Sequence, residues 1–378
     1  MRDLDIAALR DLVRRPAHQA SVSAPDIVPV HAGLFDAEAN PLLVSFVGAL
    51  PSTRGALAVV RAFFNDRWRP GDVALTNDMD AGAVNACEII AAAPIFSGDV
   101  LIGWSVVRGR VPDFGGWEPG GYSPQAVDRW AEGARLEPVK IMARGVCRRE
   151  VTDLLRLNSR TPATTLRHVS LLVEAAGELG QAYAERADWL RAQISAMRSA
   201  ELEQVRTALA RLPEACPPQR GEIVARWLNR QFGSIDVVVV KSETGLHVAL
   251  SAPPIAGCPI NLGREAAHDI VTAAIAGACE LDDVVTDALS TQIHLTLQGS
   301  SLLCAPLPAT VGIGRQISGQ VLARALTMSL GLSAARAEAV WQHYRETACG
   351  VDFDPDTGKL ATRSAARIRE RQLREIAA

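Results

Sequence analysis

The chain has 378 residues, of which 48% are hydrophobic, 21% charged and 5% aromatic, proportions that fit a folded globular protein and exclude a disordered or collagen-like one. Its formal net charge is −3, from 39 basic and 42 acidic residues, so no basic surplus is available to neutralise phosphates and nucleic acid is not an expected partner. Seven widely spaced cysteines without a CxxC pair speak against a disulfide framework and a structural zinc, and for a reduced, cytoplasmic setting.

The first residues alternate charge with apolar side chains and lack the apolar core of a signal peptide. Ile6, Leu9, Leu12 and Val13 recur at helical spacing and predict a short helix over residues 3–15. No apolar run is long enough for a membrane span. Residues 20–48 read as strands around the turn AEANP, and Pro51-Ser52-Thr53 opens a helix that ends before Arg69-Pro70-Gly71-Asp72. Two strand-like runs follow, DVALTND and EIIAAAPIFSGDVLIGWSVVRG, the second folding back at Ser97-Gly98-Asp99. Residues 112–139 are rich in glycine, proline and aromatics, and predict a long loop of functional kind.

From 146 to 212 breakers are scarce and three helices are expected. After Cys216-Pro217-Pro218, the run SIDVVVVKSETGLHVALSA predicts a hairpin turning at Glu243-Thr244-Gly245. Residues 264–279 predict a buried helix rich in small residues, TQIHLTLQGSSLLC a strand with a turn or partner, and 319–346 two more helices. The expected fold class is α+β, a mixed α/β arrangement. Its parts are a β-rich N-terminal part with hairpins (1–145), a helical segment (146–215), a second β/α part (216–333) and a polar helical tail (334–378).

HExxH, GxSxG and P-loop sequences are absent. Val311-Gly312-Ile313-Gly314 begins like a dinucleotide fingerprint, but Ile317 stands where its third glycine belongs. Asp352, Asp354 and Asp356 alternate as in a calcium loop, but glycine comes one residue late and Arg363 replaces the closing glutamate, so a plain turn is expected.

The richest stretch is 69–141. A strand ending in Asn77-Asp78 sets two short polar side chains at a sheet edge, followed by Asn85 and Glu88. The next hairpin returns the chain to Asp113, so that Asp78, Glu88 and Asp113 are expected to converge under a glycine-rich loop containing Gly115 and Gly116. Glycines there allow close approach of a ligand to the backbone. Lys140 is expected to balance the charge of these carboxylates or to bind substrate.

Here the chain resembles the B subunits of ATP-dependent hydantoinases and 5-oxoprolinases, a family related to the alpha subunit of acetone carboxylase. The resemblance is carried by LFDAE (34–38), RPGDVALTND (69–78), PIFSGDVLIGWSVVRGRVPDFGGWEPGGYSP (94–124), EGARLEPVKI (132–141), LNSRTP (157–162), CPIN (258–261) and LQGSSLL (297–303), in the family's order. It implies a partner A-type subunit that binds ATP and magnesium and phosphorylates a carbonyl oxygen. Ring hydrolysis or carboxylation then follows on the B-type chain, with no cofactor bound by this chain; a further B-type chain enters as a partner only in the alternative of a structural subunit. The family pattern has a histidine where Asn85 stands, an aspartate where Glu88 stands, and two histidines where Arg110 and Val111 stand. The resemblance therefore implies a site without the family's metal. Asp78, Asp113 and Lys140 would be catalytic, and Asn77, Asn85, Glu88, Arg110, Gly115 and Gly116 would bind substrate. The alternative is a non-catalytic structural subunit, with Trp117 and Tyr122 as interface anchors.

Overall fold

The computed structural model describes residues 6–24, 30–65, 67–121, 123–349, 353–354, 356 and 359–360. Helix α1 (Ile6–Ser23) is longer than its sequence signal, because Leu9, Val13, Ala17 and Ala20 continue one buried stripe beyond Arg15. Strands β1 (Val30–Asp36) and β2 (Pro41–Val44) form the first hairpin. A 3₁₀ turn over Val47–Ala49 then leads into α2 (Leu50–Phe63), with Pro51 at a position where no helical N–H is needed. Strands β3 (Val73–Thr76), β4 (Glu88–Ser97), β5 (Val100–Arg110), β6 (Val139–Ala143) and β7 (Val146–Cys147) complete a seven-stranded antiparallel sheet of order β2-β1-β5-β4-β3-β6-β7.

Helices α3 (Arg149–Leu157), α4 (Pro162–Ala184) and α5 (Ala187–Ala210) follow. A second sheet takes β8 (Gln219–Ala225), β9 (Arg230–Ser242), β10 (Gly245–Ser251) and β11 (Ile293–Leu297), in the order β11-β10-β9-β8 with β11 parallel to β10. The parallel pairing needs a crossover, which includes α6 (Arg264–Ala278). Helices α7 (Gln320–Ser329) and α8 (Ala334–Tyr344) come last, α7 preceded and α8 followed by a π-helical turn, Arg315–Gly319 and Arg345–Cys349. The fold is thus α+β. The charged run at 363–378 falls outside the described residues, as do Tyr122 and Asp352.

Strand β4 is apolar almost throughout because both faces of the first sheet are covered. Ile89, Ala91 and Ile95 join a core beneath α1 and α4, whereas Ile90 and Ala92 join one beneath α2 with Trp104 and Val106. Small side chains let α4 come close: the Ser105 hydroxyl donates to the Ala176 carbonyl at 2.6 Å. A third core fills the second sheet, α6 and α7, and draws in Phe46, Val47 and Ala49 from the first part of the chain. The N-terminal ends of α2 and α6 meet beside the end of the first sheet where β4 begins and β5 ends, which sets up the buried contacts described next.

Candidate functional site

Register decides which side chains share the α2 face. Glu88 lies opposite Arg110, and His31 opposite Arg108. Glu88, 6% exposed, bonds Arg108 rather than Arg110: Arg108 Nε donates to Oε1 at 2.9 Å and Nη2 to Oε2 at 2.6 Å. The remaining donors of Arg108 reach the Gly82 carbonyl at 3.0 Å and the hydroxyls of Ser52 and Thr53 on the first turn of α2. Burial pushes the Glu88 carboxyl up, but the Arg108 charge and hydrogen bonds outweigh it and hold the group below its ordinary range.

The chain of contacts continues into the second half. Ser52 donates its N–H (2.9 Å) and hydroxyl (2.6 Å) to Asp269 on α6. Asp269 also accepts from Arg315 at 2.8 Å, and Arg315 reaches the Tyr344 hydroxyl. His31, 8% exposed, lies beside this network; burial and then the Arg108 charge push its imidazole down to about 4, so it stays neutral.

Asn77 is 1% exposed and fully engaged. Its amide nitrogen donates to the carbonyls of Ala86 (2.7 Å) and Ala134 (2.8 Å), and its oxygen accepts the Leu136 N–H at 2.6 Å. Asp113, with no exposure, accepts from the Arg160 backbone N–H at 2.7 Å and its guanidinium at 2.8 Å. Arg160 in turn binds the carbonyls of Gly115 and Gly116. Both glycines have positive φ, and a Cβ on Gly116 would lie 2.7 Å from the Glu132 carbonyl carbon. The loop is therefore wound around Arg160, with these carbonyls turned to a side chain of the same molecule. Asp78 is half-buried, 3.8 Å from Arg135, and its carboxylate accepts the Asp80 N–H at 3.0 Å. The Ala134 N–H bonds the Phe114 carbonyl at 2.8 Å, so the Asn77–Asp78 and Asp113–Phe114 segments meet on one strip of chain. Asn85 caps the Cys87 N–H at 3.0 Å.

Lys140 is elsewhere. It pairs with Ala74 in the β3–β6 register, four residues before Asp78, or about 13 Å along a strand. Its ammonium bonds Asp72 at 2.7 Å and the Arg67 carbonyl at 2.6 Å, above the rings of Phe64 and Trp68. These aromatics lie at the C-terminal end of α2, whereas Glu88 and Arg108 meet its N-terminal turn. The expected grouping of Lys140 with Asp78 and Asp113 is not formed: lysine and Asp72 instead lock the RPGD turn onto β6.

Sequence reasoning passed over several groups. Arg129, with no exposure, bonds Asp80 (2.6 Å) and the carbonyls of Ala305 and Ala309 (both 2.7 Å). Glu132 accepts the N–H groups of Val311 (3.0 Å) and Gly312 (2.7 Å). The Val311 and Gly312 amides at the head of the dinucleotide-like run are thus already taken by a side chain, the carboxyl of Glu132. Burial pushes that carboxyl up to about 7 against the pull of the two N–H groups and Arg129. The signal that could have found Glu132 and Arg160 was present, since both lie in stretches already singled out.

Among the described residues no three His, Cys, Asp or Glu side chains converge on a metal position. The donors explain why: Glu88 is taken by Arg108 and the Val84 N–H, Asp113 by Arg160, and the Asn85 oxygen by Cys87. A divalent transition metal does not fit this set. Arg110 differs from its neighbours. It is 8% exposed, donates to the Gly120 carbonyl, and pairs with no carboxylate among the described residues.

A larger sheet covered on both faces and a smaller one covered on one, with the 113–121 loop following the end of β5, define an α+β scaffold whose buried Glu88–Arg108 pair sits at one end of the central strands. The family model for hydantoinase B/oxoprolinase matches residues 28–365, and the chain belongs to that family. It is 26% identical over 307 residues to the B subunit of a putative D-/L-hydantoinase from Pseudomonas sp. (strain NS671), covering 75% of this chain and 51% of that one. Over 108 residues it is 37% identical to the beta subunit of the caprolactamase of Pseudomonas jessenii, 29% of this chain and 19% of that one. The crystal structure of the ATP-dependent caprolactamase from Pseudomonas jessenii superposes with a TM-score of 0.74 at 23% identity, over 86% of this chain and 59% of that one. Nucleotide-free acetone carboxylase superposes with a TM-score of 0.69 at 15% identity, over 86% and 48%; these two likenesses are of fold. The chain spans about half the length of the hydantoinase chain it matches. No helix among the described residues is long and apolar enough to cross a membrane.

Proposed function

We propose that this chain is the B-type component of an ATP-dependent heteromeric enzyme of the hydantoinase, oxoprolinase and ketone-carboxylase kind. Its substrate is a carbonyl compound activated by phosphorylation on an A-type partner, which carries ATP and magnesium. Two relatives named as B and beta subunits support a heteromer. The observation that carries the catalytic reading is Arg110. A guanidinium 8% exposed and without a carboxylate among the described residues is costly to bury, and an arriving oxyanion would offset that cost. Its place beside Gly120, at the foot of the 113–121 loop, suits it to hold a phosphate or developing enolate oxygen by a forked pair of N–H donors. Asp78 is the one sequence-picked carboxylate that keeps partial exposure, and in this reading it serves as the proton carrier. Asp113 and Asn77 hold the loop.

Turnover of the assembled complex carrying Arg110→Gln is expected to fall about a hundredfold or more, as for loss of an oxyanion donor, with assembly intact by size-exclusion chromatography. Unchanged turnover would sink the catalytic reading. The competing reading, a structural subunit, is favoured by the exposure of Trp117 (61%) and Trp130 (56%), whose segments are joined by the Trp117 N–H bond to Ala131. In that case Trp117→Ala should weaken assembly while Arg110→Gln does nothing. We further propose that the chain holds no transition metal; near one equivalent of zinc, manganese or iron by elemental analysis of the purified chain would contradict this.

A further inference from the structure

The second sheet is covered on one face. Its inward residues, among them Ile223, Ile235, Val237 and Val248, are buried in the core with α6 and α7, whereas Val238 (40% exposed) and Val240 (56%) stand on the open face. Strand β8 is at the edge of this sheet, with β9 on one side and no strand on the other among the described residues. In an antiparallel ladder alternate residues turn their N–H and C=O groups away from the neighbouring strand. Outside the ladder with β9, no backbone group of residues 219–225 has a hydrogen-bond partner among the described residues. The irregularity in this pair lies on β9, which advances three residues (Ser234 to Gln231) where β8 advances two (Glu222 to Val224), around Gly233 with φ +101°. The free edge of β8 therefore runs without a bulge, and residues 219–225 contain no proline to blunt it.

Alternation puts Pro218, Arg220, Glu222 and Val224 on the open face, and all four are exposed. This row is its own complement. When two copies of β8 pair antiparallel about a two-fold axis at Gly221, Arg220 of each copy stands opposite Glu222 of the other, and Pro218 opposite Val224 at both ends. The other registers that keep the faces aligned lose this match. An axis at Arg220 opposes arginine to arginine, one at Glu222 opposes glutamate to glutamate, and one at Ile223 sets Glu222 against Val224; like charges directly opposite destabilise a pair. Arg220 is already held on this face, since its Nε bonds Asp236, directly opposite on β9, which leaves its Nη groups for a second carboxylate.

We infer that β8 pairs with β8 of a second copy of this chain, joining the two small sheets into one continuous sheet across a two-fold axis at Gly221. The unbonded backbone groups of the edge supply the attachment, and the order of base and acid on the open face sets both the partner and the register. The interface is separate from the Arg110 loop and does not depend on its proposed role.

Sedimentation of the full chain tests this, and the parent should show a monomer–dimer equilibrium in the micromolar range. Glu222→Arg makes both attractive pairs repulsive and should raise the dissociation constant about tenfold or more, as should Arg220→Glu. Mixing the two variants restores opposite charges at both pairs, so the mixed dimer should form about tenfold or more tightly than either variant with itself. That recovery also shows that both variants are folded. Trp117→Ala should leave the equilibrium unaltered. A parent chain that stays monomeric throughout the micromolar range, a dimer that neither charge reversal weakens, or a mixture no tighter than the separate variants would each overturn the proposal. So would a dimer that Trp117→Ala weakens as much as Glu222→Arg does.

Discussion

At the scale of single residues, the partner that Glu88 takes is one that spacing alone does not distinguish. Arg108 and Arg110 lie two apart on the same face of β5, and Glu88 is directly opposite Arg110. What holds the Arg108 guanidinium where Glu88 can bind it is the cluster of acceptors there: the Ser52 and Thr53 hydroxyls and the Gly82 carbonyl, contributed by a helix and a loop that sequence order does not place. Removing one partner of such a buried pair leaves an uncompensated charge. Arg108→Met is therefore expected to cost about 3–5 kcal/mol in urea unfolding, and a loss under 1 kcal/mol would show that the pair is not essential. Lys140 teaches the same lesson in reverse. Its nearness in sequence to the glycine-rich loop suggested a role there, but the β3–β6 register carries it to Asp72.

At the scale of elements, most of the fold was legible. Helix periodicity marked α2 to α8, and the turn at Ser97–Asp99 marked the β4–β5 hairpin, because these signals are local. The far end of α1 and the start of β1 were misplaced, because helical spacing within 20–24 was outweighed by the β-branched residues around it. The parallel partner of β10 was not legible, since it depends on a crossover of some forty residues. Glycines separate the local from the tertiary cleanly. Gly177 in α4 has open space around it, and Gly177→Ala should raise stability by roughly 0.5–1 kcal/mol. Gly314 has ordinary helical φ and ψ (−55°, −39°), yet an added Cβ would sit 1.7 Å from the Asn261 carbonyl oxygen. Gly314→Ala should destabilise by several kcal/mol, as overpacking of a tight contact does. Similar thermal midpoints for the two variants would refute this account.

For the whole molecule, two buried groups oppose each other in acid. Glu132 titrates near 7 in the folded chain against 4.5 for the free group, so between those values the folded state holds a proton that the unfolded state has released. Its contribution to stability falls as pH rises. His31 titrates near 4 against 6.5, so there the unfolded state holds the extra proton and stability grows as pH rises. Between about pH 4.5 and 6.5 the two slopes, each about 1.4 kcal/mol per pH unit, cancel. Glu132→Gln should expose the histidine slope, with urea midpoints that drop, relative to the parent, as the solution is acidified. His31→Asn should expose the glutamate slope, with midpoints that drop as pH rises. Two variants with parallel pH profiles would contradict the pairing. A last consequence belongs to the run of contacts from Glu88 through Arg108, Ser52 and Asp269 to Arg315 and Tyr344. Ser52 is claimed from both sides, by a guanidinium of the larger sheet and by a carboxylate of the later helix. The two halves are therefore not interchangeable modules. Any recombination that exchanged one half with a relative's would have to carry Ser52, Arg108, Asp269 and Arg315 as a matched set, or leave a bare charge at the seam.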